Sequence, residues 1–191
     1  MITKQQFKEK ILPVVLKHEG GYALVKGDNG GETYRGIARQ SNPDWPGWPL
    51  LEKYKPLRNG DLINDAALQT AVCELYWQKY FEANGFHRCN NPIVALQLFD
   101  FSVHGGYSTK QLQRTMNRMF NQSLKEDGDW GEKTIAGINS IRPDLLCNAI
   151  LNDRAERLRQ IIERDPTQEK FRKGWTNRIN AMRYLIRGIA V

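Results

Sequence analysis

Cysteine is scarce in this chain, and the three present, Cys73, Cys89 and Cys147, are odd in number, scattered, and form no CxxC pair. A disulfide framework and a structural zinc knuckle are both excluded, and the three read as reduced thiols. Long apolar runs are lacking too. The best candidates, Ile11 to Leu16 and Ile93 to Phe101, are broken by Pro13 or by polar residues and fall short of the roughly 20 residues that cross a bilayer. The N-terminus, MITKQQFKEKILPVV, mixes lysine and glutamate with apolar side chains, so it has no basic stretch leading into an apolar one, and no cleavable secretory signal is expected. His18, His87 and His104 lack metal-ligand spacing. Repeats and low-complexity linkers are also missing.

What remains is 191 residues, 40% hydrophobic and 26% charged, enough to bury a core and too apolar for disorder. A net charge of +7 favours anionic surfaces: nucleic acid, phospholipid or the acidic polymers of a bacterial envelope.

Phe7, Ile11, Val14, Val15 and His18 recur at helical spacing, with Thr3 and Gln6 placed as a capping box, Pro13 as a kink and Gly20-Gly21 as the stop. Residues 22 to 60 change character. DNGGETYRGI predicts a small β-hairpin region, and SNPDWPGWP, with three prolines and two tryptophans, predicts a loop. Helical period returns over about 64–83, and further helices are predicted near 92–103, 108–121, 131–140, 143–164 and 167–188. The fold class is therefore mainly α with a small β-hairpin region after the first helix. A seam near Gly85 to Pro92 suggests regions 1–88 and 89–191, packed as one compact unit.

Glu19 ends the first helix in KHEGGY, where the partial negative charge of the helix dipole disfavours a carboxylate. Such a field, with apolar neighbours, would keep a proton available for general acid catalysis; a solvated glutamate beside a glycine cap is the plainer alternative. Asp28 follows nine residues on and Tyr34 fifteen, across a turn. Two carboxylates flanking one bond are what glycoside hydrolysis requires, although Asp-Asn-Gly-Gly also makes an ordinary turn. Glu32 competes with Asp28 as the second carboxylate. Trp45 and Trp48 either stack on the flat faces of sugars or pin their loop to the core. DGDWGEKT, residues 127–134, reads as a turn feeding a helix with Asp129 as N-cap, and lacks the ligands of an EF-hand.

HEGGY followed by D-x-G-G-E-T-x-x-G-I resembles the opening of the EGGY-type N-acetylmuramidases, glycoside hydrolase family 108. The segments ALQLFDFSVHGG (95–106), Leu112-Gln113, DGDWGEKT (127–134) and FRKGWTNR (171–178) resemble that family's C-terminal peptidoglycan-binding region. The resemblance implies a lysozyme-like helical fold and hydrolysis of the β-1,4 bond between N-acetylmuramic acid and N-acetylglucosamine. By position it implies Glu19 as the acid and Asp28 as base, stabiliser or nucleophile. Tyr34 falls where phage-type lysozymes place a threonine that positions water. Thr33, Glu32, Trp45 and Trp48 complete the expected substrate contacts. No cofactor or metal is implied. The expected partner is the glycan strand of peptidoglycan, reached from the bacterial cytoplasm through a holin-type pore and cleaved by a monomer. The alternatives are a lytic transglycosylase and a non-catalytic cell-wall-binding or secretion-related protein. Nucleic-acid binding is disfavoured, because the basic residues are dispersed and no helix-turn-helix or finger pattern is present.

Overall fold

The computed structural model describes residues 1–24, 31–105 and 109–187. It opens with α1 (Lys4–Gln6), a π-helical segment Phe7–Ile11 and α2 (Leu12–Leu16), continuous with one another. The π segment is the local answer to Pro13. A proline has no amide hydrogen and its ring collides with the carbonyl four residues back, so the helix widens before it and Leu12 N–H donates to Phe7 O five residues behind.

A three-stranded antiparallel sheet follows in the order β1 (Tyr22–Leu24), β2 (Glu32–Tyr34), β3 (Ile37–Ala38), with Tyr22 opposite Tyr34 and Thr33 opposite Ala38. Arg35 and Gly36 join the last two strands with φ of 51° and 74°, the two positive values of a two-residue hairpin turn matched to strand twist. The proline-rich stretch expected as loop contains a short helix, α3 (Gly47–Glu52), whose Pro49 sits in the first turn where no amide donor is needed. Asp65 caps α4 (Ala66–Leu75) by accepting from Leu68 N–H at 2.8 Å, and a π-helical segment Tyr76–Glu82 extends it.

Phe86–Arg88 forms a 3-10 turn, then come α5 (Pro92–Gly105), α6 (Thr109–Phe120), α7 (Glu132–Ser140) and α8 (Pro143–Arg164). A 3-10 turn Pro166–Phe171 leads into α9 (Arg172–Ile186). Among the described residues no helix is long and apolar enough to cross a membrane.

By packing, the chain divides into two compact units, Lys4–Tyr80 and Met1–Thr3 with residues 81–191. The core of the first gathers Phe7, Ile11, Val15, Tyr34, Leu51, Leu68 and Val72. In the second, α8 packs against α5, α6 and α9 around Phe99, Leu112, Leu146 and Met182. Inside that core Asp100, fully buried on α5, accepts from Arg154 of α8 at 2.5 Å and from Arg178 of α9 at 2.7 Å. Burial would raise the Asp100 carboxyl, but hydrogen bonds and charge from the two guanidiniums outweigh it and hold the carboxyl below its ordinary value. All three cysteines are buried and unpaired with one another, and burial pushes the Cys89 and Cys147 thiols up to about 12.

Asp129 is not an N-cap. Gly131 precedes α7, while Asp127 takes the Asp129 N–H at 3.0 Å and buried Gln113 ties the turn together through Asp127 and Gly128. That places Asp127 low, at about 2, chiefly through the Asp129 backbone donor and the Gln113 amide.

Candidate active site

Glu19 is half-buried just past the end of α2, where Gly20 at φ +69° turns the chain toward the sheet. Gly21 must be glycine for a different reason: a Cβ there would lie 2.4 Å from Asp61 O and 2.6 Å from Gly60 O. That close approach lets Tyr22 N–H donate to Asp61 O at 2.8 Å and Gly60 N–H to Tyr22 O at 2.7 Å, anchoring β1 beside the helix end. The EGGY segment is thus a helix stop, a backbone contact and the first strand residue in succession.

The β2–β3 turn closes over the glutamate from the other side. A Cβ on Gly36 would sit 2.9 Å from Glu19 Oε2 and 2.9 Å from the Tyr76 hydroxyl, so both oxygens crowd the space a side chain there would need. Tyr76 donates to Arg35 O at 2.7 Å, which ties the turn to the helical segment beneath it. Tyr80 stands one turn further along, ring centroids 5.6 Å apart, and its hydroxyl is pushed up by burial and by the nearby Glu19 charge. The Arg35 guanidinium donates to Leu16 O at 3.3 Å and Gly20 O at 3.4 Å, so the helix end is covered by a cation and is not the bare negative pole pictured from the sequence.

Asp28 lies outside the described residues. Tyr34 is not available to water or sugar. It is fully buried, and its hydroxyl both accepts from Ile63 N–H at 3.1 Å and donates to Ile63 O at 3.4 Å. Strand alternation decides this, because Tyr34 is the residue of β2 that points into the core.

Trp45 and Trp48 are 5% and 2% exposed. Trp45 borders a surface cavity of about 400 Å³, but Tyr34 stacks on its ring at 6.5 Å, Gly47 presses against it and Trp48 meets it edge-on at 4.9 Å. Their indole N–H groups donate to Ala71 O at 3.1 Å and Asn42 O at 2.7 Å, and Arg39 covers the Trp48 ring at 4.4 Å. Both pin the loop to the core and leave too little ring to stack on a sugar.

Glu32 is likewise occupied. Its carboxylate pairs with Arg39 at 2.6 Å and Lys55 at 3.0 Å. Burial raises it, but hydrogen bonds from Lys55 and Tyr22 with the Arg39 and Lys55 charges bring it below its ordinary value. Thr33 is half-buried, its hydroxyl donating to Ala23 O at 3.4 Å.

The residues gathered at Glu19, namely Arg35, Gly36, Tyr76 and Tyr80, were not expected from sequence as site residues. YRGI carried the signal for two of them, since Arg-Gly between two short strands is a turn demanding positive φ.

A glutamate at a helix end, facing a small antiparallel sheet within a mainly helical chain, is the arrangement of a lysozyme-like glycoside hydrolase. The chain belongs to the glycosyl hydrolase 108 family, whose model matches residues 12–106, and a predicted peptidoglycan domain matches residues 107–180. It is accordingly a peptidoglycan-hydrolysing N-acetylmuramidase acting on the cell wall. Among solved structures it is similar to SagA of Brucella abortus, at 22% identity and a TM-score of 0.64, with 97% of each chain covered; at that identity the likeness speaks for the fold. No curated protein matches its sequence.

Proposed function

We propose that Glu19 is the general acid of this muramidase, donating its proton to the glycosidic oxygen between N-acetylmuramic acid and N-acetylglucosamine. The observation that carries the reading is the placement of Glu19, half-buried at the helix end with its carboxyl against Gly36 of the β2–β3 turn. A proton donor must be fixed to within a fraction of an ångström, and a turn that only glycine fits holds the carboxyl in place. Asp28 is the second carboxylate, as base, stabiliser or nucleophile, a role that rests on its position in the D-x-G-G segment. Thr33 is retained as a sugar contact, since its hydroxyl keeps acceptor capacity while donating to Ala23. The enzyme works as a monomer, made in the bacterial cytoplasm and released to the wall through a holin-type pore.

Glu19→Gln keeps the size of the side chain and removes the proton, so turnover should fall by at least about 10²- to 10⁴-fold with the fold retained. Release of reducing ends from purified peptidoglycan measures it, and near-native release by the variant would remove Glu19 from the reaction. Mass spectrometry of the same digest distinguishes the chemistry. A reducing N-acetylmuramic acid end means attack by water, whereas an anhydro ring means the sugar's own hydroxyl attacked and the enzyme is a lytic transglycosylase.

A further inference from the structure

A groove of about 510 Å³ is lined by α6 and α8, within the unit that begins at Phe81. Its cations are all arginines, Arg114 and Arg118 from α6, Arg157 and Arg164 from α8. Helical spacing gathers them, the first pair one turn apart and the second pair two turns apart, so each pair shares a face.

Arg114 is committed to Glu126 at 3.0 Å and Arg118 to Asp153 at 2.9 Å. The α8 pair is not committed to any carboxylate among the described residues. Arg157 reaches Gln111 Oε1 through one terminal nitrogen at 3.4 Å, while its Nε is buried without a hydrogen-bond partner; the Arg164 guanidinium has no partner among the described residues. A guanidinium fork matches a carboxylate or a phosphate in two-point geometry, and two guanidiniums with no carboxylate of their own leave that geometry open to an incoming anion.

We infer that this groove binds the carboxylates of the peptide stems carried by peptidoglycan, an inference that rests on the muramidase reading above. The interleaved acids favour carboxylates on a peptide over a phosphate polymer. Asp153 and Glu156 also line the groove, so the closely repeated charges of a polyphosphate would meet carboxylates between the arginines. A stem peptide spaces its carboxylates with amides and apolar groups, for which Gln111, Gln160 and Ile161 provide matching contacts. The volume suits a ligand of a few residues.

The test uses the full chain in a Glu19→Gln background, so that sacculi are not digested while binding is measured. The probes are sacculi with intact stems and sacculi stripped of stems by an amidase. Intact sacculi should bind about tenfold more tightly than stripped ones, and Arg157→Gln with Arg164→Gln should remove that difference. Lys133→Gln with Lys173→Gln, the same loss of charge elsewhere in the unit, should preserve it. If the glutamine pair does not fold, Arg157→Lys with Arg164→Lys keeps the charge and loses the fork, and a clear drop in stem preference supports the groove. Equal binding of the unsubstituted groove to both kinds of sacculi overturns the inference, as does an unchanged preference in the arginine variants or displacement by polyphosphate at lower concentration than by stem peptide. Reducing-end release by the enzyme with Glu19 intact reports separately on the muramidase reading: cleavage without stem preference overturns the groove alone.

Discussion

Gly36 lies against the Glu19 carboxyl at φ +74°, with no room for a Cβ between Glu19 Oε2 and the Tyr76 hydroxyl. Gly36→Ala therefore strains the backbone by about 1 to 2 kcal/mol and displaces the carboxyl as well. Activity should fall by about 10²-fold for a shift of the order of 1 Å, with thermal unfolding only a few degrees earlier. A small loss of stability together with a large loss of turnover is the expected pairing; equal activity in the alanine variant would show that Glu19 needs no such fixed seat. The neighbouring arginine tells a related story. Arg35 adopts φ +51°, unusual for a residue with a side chain, and its guanidinium is held over the carbonyls of Leu16 and Gly20. Strain in the turn and cover of the helix end thus come from one residue.

The aromatic loop is the element whose role changed between sequence and structure. Because Trp48 is buried, donates its N–H to Asn42 O and packs edge-on to Trp45, Trp48→Ala should cost about 3 to 5 kcal/mol of stability. A denaturant titration measures this, and a variant of native stability with weakened sugar binding would restore the stacking role. Proline misled the reading here: Pro46 and Pro49 look like loop residues, yet one precedes α3 and the other occupies its first turn. Helices with sustained period were legible to within a few residues, as 131–140, 143–164 and 92–103 show against Glu132–Ser140, Pro143–Arg164 and Pro92–Gly105. Their apolar stripes are local facts of the chain. The proposed site could be read only where a single segment carries it, as with Glu19 in HEGGY. Tyr76 and Tyr80 lie some sixty residues away, and one amphipathic stripe looks the same whether it lines a core or the proposed acid. Tyr34 was misplaced because a three-residue strand is too short for its alternation to declare an inward face.

At the scale of the whole molecule, the buried triad Asp100, Arg154 and Arg178 contributes to acid stability. An aspartate held below its ordinary value contributes fully above the unfolded pKa of about 3.9 and loses that contribution as pH falls toward the folded value. Unfolding midpoints should thus be insensitive to this group near neutrality and fall in the acid range below about pH 4. Asp100→Asn leaves two guanidiniums buried without their carboxylate, so it should cost about 3 to 5 kcal/mol at pH 7 and flatten that acid decline. A pH series of calorimetric midpoints on both proteins checks the sign; identical acid profiles would take the triad out of the account. The triad also crosses a boundary that the two family models draw. Asp100 belongs to residues 12–106, whereas Arg154 and Arg178 belong to residues 107–180. A gene cut between those stretches would give one fragment an unmatched acid and the other two unmatched bases, all in places built to exclude water. The half that matches the peptidoglycan domain is consequently not a cassette to be grafted onto another hydrolase as it stands. A transferable piece would have to begin before α5 and carry that helix with it.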